Sequence, residues 1–258
     1  MKEVLDRGEI FNRTERLLGG EALSRLREAR VAVFGIGGVG SWAAEALART
    51  GVGAMTLVDA DRVSVTNINR QAPATTATVG MPKVEVMGRR LLEINPSLKL
   101  ELVDGRYTAE TADGFDLGAY DAVIDAIDSL ADKALLILRA TEAAARSEER
   151  PRRPLFVSSM GAALKLDPTK ISVAEFWKVS GCPLAAALRR RFKKSGAMPA
   201  RKFQCVYSPE LLSNRGKALA DDPSMSYGKV AVNGSLCHIT AIFGMILAGL
   251  VIEGLIKD

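Results

Sequence analysis

Short apolar runs alternate with longer stretches of helical period through the first 160 positions. Val31–Phe34, Ala54–Val58, Leu98–Val103, Tyr120–Ile127 and Pro154–Ser159 read as strands, being short, rich in apolar residues and bounded by turn residues. Between them, Ser41–Thr50, Val84–Ile94 and Asp132–Glu142 carry a helical repeat. Two short helices, Glu9–Gly20 and Glu21–Arg27, precede the first strand. This alternation predicts an α/β fold, a Rossmann-like, mostly parallel sheet with helices on both faces. Beyond Lys170 the texture changes. Ile171–Trp177 reads as a strand, Cys182–Lys194 as a helix, and Asn214–Gly228, rich in Gly, Asp, Ser and Pro, as a mobile loop. Ile239–Ile252 is apolar for 14 residues. That suits a buried closing helix better than a membrane span, which needs about 20 residues, with peripheral membrane attachment as the alternative. The expected organisation is one domain over 1–258, with an N-terminal helical segment 1–29 and a basic, mobile insert at about 178–230.

The first strand runs directly into Gly35, Gly37, Gly38 and Gly40, and then into the first helix. Strand, glycine turn and helix in that order form a cradle for a nucleotide phosphate. Glycines let the backbone approach an anion with no Cβ in the way, and the helix start offers unpaired N–H groups. This pattern alone fits NAD, FAD, S-adenosylmethionine or ATP. Asp59, with Asp61 two residues on, ends the second strand, where a ribose hydroxyl is held in such folds. Further candidates follow at strand ends: Asn67 and Arg70 in the aperiodic VTNINRQ segment, Lys83 just inside a helix that opens at Pro82, and Asp128-Ser129.

Composition narrows the class. The chain has 258 residues, 48% of them hydrophobic, enough for one large core. A net charge of +5 permits a polyanionic partner without requiring one. Three cysteines with no C-x-x-C pair exclude a disulfide framework and a four-cysteine zinc site, so no structural zinc is expected. The N-terminal nine residues are charged, without the apolar core of a secretory signal, and the cytoplasm is the expected compartment.

The order GIGGVGSWAAEALARTGVG, LVDAD, VTNINRQ, VGMPKVE, INP and VIDAIDS resembles the E1-like adenylyltransferase family, whose members activate ubiquitin-like and sulfur-carrier proteins. The resemblance covers Phe11 to Gly161 and the closing apolar helix. Within the family the segments CPLAAALRRRFKK and CVYSPE (Cys205–Glu210) are similar to a tRNA-modifying branch, as is the lack of paired C-x-x-C motifs.

The resemblance implies ATP and Mg²⁺, with a carboxylate attacking the α-phosphorus to give an acyl-adenylate and pyrophosphate. In these terms Gly35, Gly37 and Gly38 admit the α-phosphate, and Asp59 and Asp61 lie at the ribose. Asn67, Arg70 and Lys83 contact phosphates, Asp128 binds Mg²⁺, and Ser129 lies beside it. It also implies a homodimer in which an N-terminal arginine reaches the partner's site. Arg16 matches the tRNA branch and Arg13 the sulfur-carrier branch, so either would take that part. In the tRNA branch the activated group is the threonine carboxylate of N6-threonylcarbamoyladenosine at position 37. The basic residues Arg189, Arg190, Arg191, Lys193, Lys194, Arg201 and Lys202 would then meet the phosphate backbone, or else form a solvated helix end.

Competing readings are an activating enzyme for a ubiquitin-like sulfur carrier, possessing sulfur-transfer partner proteins, an NAD-dependent oxidoreductase, and a silent binding module. The oxidoreductase has no use for Asn67, Arg70, Lys83 and Asp128 together, and intact Arg70, Lys83 and Asp128 speak against a silent module. Four other residues draw attention. His238 reads as a satisfied core histidine, Trp42 as core packing, and Asp125 as structural. Cys205 reads as a packed thiol or a sulfur-relay cysteine.

Overall fold

Seven strands form one sheet in the order β3-β2-β1-β4-β5-β7-β6, in a computed structural model that describes residues 9–146, 153–216 and 233–257. The strands are β1 (Arg30–Phe34), β2 (Ala54–Val58), β3 (Lys99–Val103), β4 (Ala122–Asp125), β5 (Leu155–Ser159), β6 (Ser172–Glu175) and β7 (Gln204–Tyr207). All pairings are parallel except that of β6 with β7. The helices are α1 (Asn12–Leu18), α2 (Gly20–Glu28), α3 (Gly40–Thr50), α4 (Lys83–Ile94), α5 (Leu130–Arg146), α6 (Pro183–Ser195) and α7 (Cys237–Ile256).

The two-residue period of β1 divides the core. Val31 and Val33 join Leu57, Ile124 and Val157 beneath α3, α4 and α7, while Ala32 and Phe34 join Val123 and Phe156 beneath α5 and α6. Central strands buried on both faces explain the near-continuous apolar runs. The α/β, mostly parallel sheet expected from the sequence is the observed fold.

One element differs from expectation. β7 lies between β5 and β6, inside the stretch read as a basic insert at about 178–230. Its four residues begin at the exposed Gln204, just past the basic run, which masks them as part of a polar insert. The expected mobile loop Asn214–Gly228 lies outside the described residues beyond Gly216.

α7 is long and apolar enough to cross a membrane, with a mean hydropathy of 2.3, yet it packs on α3, α2 and β5. Ile239, Phe243, Leu247, Val251 and Leu255 are buried along it. The approach to α3 is close: a Cβ on Gly244 would lie 2.4 Å from the Val39 carbonyl oxygen. α7 therefore braces the start of α3 from behind, as a core helix does.

Candidate active site

The chain leaves β1 toward β2 and β3 on one side and returns through β4 on the other, so the carboxyl ends of β1 and β4 flank the switch point where such sheets bind ligands. Gly35 follows β1 with φ +89°, and a Cβ there would lie 2.7 Å from the Ala126 carbonyl beyond β4. The two loops meet through this glycine. A Cβ on Gly40 would fall 1.8 Å from the Gly35 carbonyl, so the turn into α3 admits no side chain. Gly37 is different. The nearest atom to its Cβ position is Gln71 Nε2 at 3.8 Å, leaving room for a ligand to approach. Gly38 instead faces Thr240 of α7 at 3.2 Å, so its small size serves helix packing.

Asp59 accepts the Ile36 N–H at Oδ2 (2.6 Å) and the Asp61 N–H at Oδ1 (2.8 Å). It thereby ties β2 to the glycine loop, and its remaining lone pairs point to where a hydroxyl could donate. Burial raises its pKa above the ordinary carboxylate value, against the opposing charge of Lys83. Asp61, expected beside it at the nucleotide, is exposed and pairs with Lys83 Nζ at 2.8 Å. Lys83 is buried at the first position of α4, directly after Pro82. Asp61 thus holds the lysine.

Asn67 is buried, and its Oδ1 accepts the Ser64 N–H at 3.2 Å, closing a capping box. Arg70 Nη1 donates to the Thr66 carbonyl (2.9 Å) and to Asn69 Oδ1 (3.0 Å). Gln71, unassigned in the sequence reading, is 7% exposed, and its Oε1 has no hydrogen-bond partner. A buried acceptor without a donor is costly. This one lies in the cradle beside Gly37, as a side chain prepared for a ligand donor would. Its one signal in the sequence is an amide directly after Asn-Ile-Asn-Arg in a segment without period.

Asp128 is exposed on the loop after β4, and Ser129 directly precedes α5. Beneath them Asp125 and Lys133 are both fully buried and paired at 2.8 Å. Asp125 also accepts from Ser158 Oγ (2.7 Å) and the Ile127 N–H (3.1 Å), and Lys133 donates to the Ile127 carbonyl (3.0 Å). The structural reading of Asp125 holds. Among the described residues no three His, Cys, Asp or Glu side chains cluster as a metal cage. Mg²⁺ is commonly held by one or two carboxylates together with substrate phosphates, a mode that the exposed Asp128 fits.

Other candidates lie elsewhere. Arg13 and Arg16 are exposed on α1. The residue before that helix, Phe11, packs near Gly51 at the far end of α3 from the glycine loop. Among the described residues neither arginine bonds to a cradle residue. Arg189 turns inward, with Nη1 donating to the Phe176 and Val179 carbonyls (3.1 and 2.9 Å) and its guanidinium over the Phe176 ring. It anchors α6 and is not presented to a phosphate. Arg190, Arg191, Lys193, Lys194, Arg201 and Lys202 are exposed. Cys205 is fully buried in β7, and burial pushes its thiol up, which favours the packed-thiol reading over the relay. His238 is not in the core. It is exposed in the first turn of α7, with Nε2 at 3.0 Å from the Leu166 carbonyl. The apolar run that suggested a buried histidine begins one residue later.

Nearly the whole chain matches one family model: residues 11–257 fit that of the ThiF family, and the chain belongs to it. Among curated relatives, the tRNA threonylcarbamoyladenosine dehydratase of Bacillus subtilis is 37% identical over 96% of this chain and 95% of its own length. That of Escherichia coli is 41% identical over 92% and 89%. The crystal structure of the E. coli dehydratase TcdA in complex with ATP superposes with a TM-score of 0.79, at 38% identity, covering 96% of this chain and 93% of that one. A sulfur carrier protein adenylyltransferase of Thermus thermophilus is 39% identical over 52% of this chain and 49% of its own length.

Proposed function

We propose that this chain is a cytoplasmic, ATP-dependent dehydratase that cyclises N6-threonylcarbamoyladenosine at position 37 of tRNA through an acyl-adenylate. The observation that supports the adenylation step is the glycine loop at Gly37 beside the unpartnered Gln71 Oε1; Arg70, Lys83 and Asp128 lie on segments that follow the carboxyl ends of β2 and β4. The match to dehydratases over almost their full length supports the substrate.

The threonine carboxylate oxygen attacks the α-phosphorus of ATP, and pyrophosphate leaves. The carbamoyl group of the same side chain then attacks the acyl carbon, closing a ring and releasing AMP, for a net loss of water. Both partners of the second step sit on one side chain, so effective molarity replaces a protein nucleophile. The protein's task is to position phosphates and stabilise their charge. Arg70 offers a planar fork for two phosphate oxygens, and Lys83 a point charge held in place by Asp61. The N–H groups of the glycine loop that leads into α3 would meet the same anion, those of Ser41 and Ala43 being bonded to the Gly37 and Val39 carbonyls, and Asp59 would hold the ribose. Asp128 would hold Mg²⁺, which neutralises phosphate charge when bound.

The N-terminal arginine would come from a second copy. α1 stands at the far end of α3 from its own cradle, and Leu17, between Arg16 and Leu18, is 83% exposed. An exposed leucine beside two arginines suits a homodimer interface. Mixing Arg16→Ala with Asp128→Ala protein is expected to restore up to about a quarter of wild-type activity as subunits re-pair randomly. The mixture would stay inactive if Arg16 served its own site, and the same mixing with Arg13→Ala tests the other arginine.

Residues 183–202 carry seven cations and no acid, so the remainder of this +5 chain is net acidic; six of the seven, all but the inward-turned Arg189, are exposed. That concentration supports contact with an RNA backbone. Its place is informative. α6 starts beside Gly161, just past the carboxyl end of β5, and runs about 20 Å to the opposite edge of the sheet. There Arg201 donates to the Ala144 carbonyl near the end of α5. A patch so placed would grip tRNA away from the reacting nucleoside.

Purified protein incubated with ATP, Mg²⁺ and tRNA carrying threonylcarbamoyladenosine should yield a nucleoside lighter by one water, with AMP, by mass spectrometry. Absence of both, together with pyrophosphate exchange in the presence of a ubiquitin-like sulfur carrier, would replace this reading with the adenylyltransferase activity of the second set of relatives.

A further inference from the structure

Trp42 is half-buried in the first turn of α3, and its indole N–H donates to the Arg70 carbonyl oxygen at 3.1 Å. The same carbonyl is approached from α7 by Thr240 Oγ1 at 3.5 Å. On either side of Arg70 the backbone is tied in as well. Asn69 Nδ2 donates to the Ser235 carbonyl (2.9 Å), and the Ala72 N–H donates to Ser41 Oγ (3.2 Å). Ser41 Oγ in turn donates to the Gly37 carbonyl at 2.6 Å. The main chain at Arg70 is thus bolted to α3 and, through Ser41, to the glycine loop. The guanidinium bonds to Thr66 and Asn69 lie within its own segment.

We propose that Trp42 is a positioning residue for adenylation, setting where Arg70 stands relative to the glycine loop. This rests on Arg70 contacting the ATP phosphates. Ile68–Ala72 follows the 3-10 turn Val65–Asn67 between β2 and α4; the Arg70 and Gln71 N–H groups bond back to the Asn67 carbonyl, but no sheet ladder fixes the segment to the rest of the fold. A long side chain on an unanchored backbone must be ordered each time ATP binds, whereas an anchored one is ordered beforehand. Tryptophan suits the task because one face packs while a single donor reaches out. Phenylalanine at this position would keep the packing and lose the donor.

Trp42→Phe is therefore expected to lower kcat/KM for ATP by about five- to tenfold, the loss of one oriented hydrogen bond, while KM for tRNA and the melting temperature stay near wild type. In the Arg70→Ala background the same change should cost nothing further. The chain has two tryptophans, Trp42 and Trp177, so in Trp177→Phe protein the emission of Trp42 alone should shift on adding ATP. That shift should vanish when Arg70→Ala is added. Unchanged ATP kinetics in Trp42→Phe, a full additional loss in the double variant, or a Trp42 emission indifferent to ATP would each overturn the proposal. If Arg70→Ala itself left ATP kinetics intact, the reading of Arg70 would fail first, and this inference with it. The emission arm needs no Trp42 variant to fold.

Discussion

Replacing Asp128 with alanine is expected to lower AMP formation by about a hundred- to a thousandfold, the range seen when one preorganised charge-stabilising group is removed from an acyl- or phosphoryl-transfer site. The fold should be untouched. Asp128 is exposed, and the loop that carries it is held from below by Asp125 and Lys133. Exposed substitutions usually shift stability by about 0.5 kcal/mol or less, and even the loss of a contact at a helix start costs about 1 kcal/mol, small beside the expected loss of turnover. The measurement pairs AMP release at saturating ATP with a thermal melt. A large loss of turnover with an unchanged melt assigns the aspartate to the chemistry. Near-normal turnover would remove Asp128 from the phosphate and metal site. Asp128→Asn adds a finer reading: it keeps the size and loses the charge, so it should resemble alanine if charge on a bound cation is what matters.

The cradle was legible in the sequence because its requirements are steric and local. Gly35 must take a positive φ and touch Ala126, and Gly40 must touch Gly35; only glycine does either, so the chain carries the mark openly. The central strands were legible because burial on both faces leaves an apolar run. What escaped notice depends on partners distant in sequence. Arg189 is indistinguishable from its neighbours in the basic run until Phe176 and Val179 are brought beneath it. Asp61 looks like Asp59 until Lys83, 22 residues on, takes its carboxylate. Trp42 fits an apolar helix face, and nothing local says that its N–H reaches residue 70. Gln71 ends the VTNINRQ motif but is one amide among three there, and what sets it apart appears only as a missing partner. β7 was missed because its four residues lie just past the basic run that ends at Lys202 and begin with the exposed Gln204, so the stretch read as part of a polar insert. The glycine expected to admit a ligand at position 38 proved to admit a helix, since absence of a Cβ serves either use.

The largest expected loss of stability is at Lys133. Its ammonium and the Asp125 carboxylate are both fully buried, at 2.8 Å. Removing one partner of such a pair leaves an uncompensated charge inside the protein and costs about 3–5 kcal/mol. For a chain of this size each kcal/mol moves the melting temperature by about 2–4 °C, so Lys133→Met should melt roughly 10 °C lower. Methionine fills nearly the same volume, so the deficit is electrostatic and not a cavity. The double variant Asp125→Asn with Lys133→Met removes both charges and should recover most of the loss, because a buried pair is worth little more than a neutral replacement of its shape. It would keep a side-chain oxygen for the Ile127 N–H while giving up the donor to the Ile127 carbonyl. The two bonds clamp a single residue, and the peptide that follows it bears Asp128. Stability and activity should therefore separate: the double variant melts near wild type yet forms AMP more slowly, because the aspartate is held on one side only. If activity returned in full with stability, the pair would be structural alone, and the carboxylate at the mouth of the cradle would owe its place to the turn into α5.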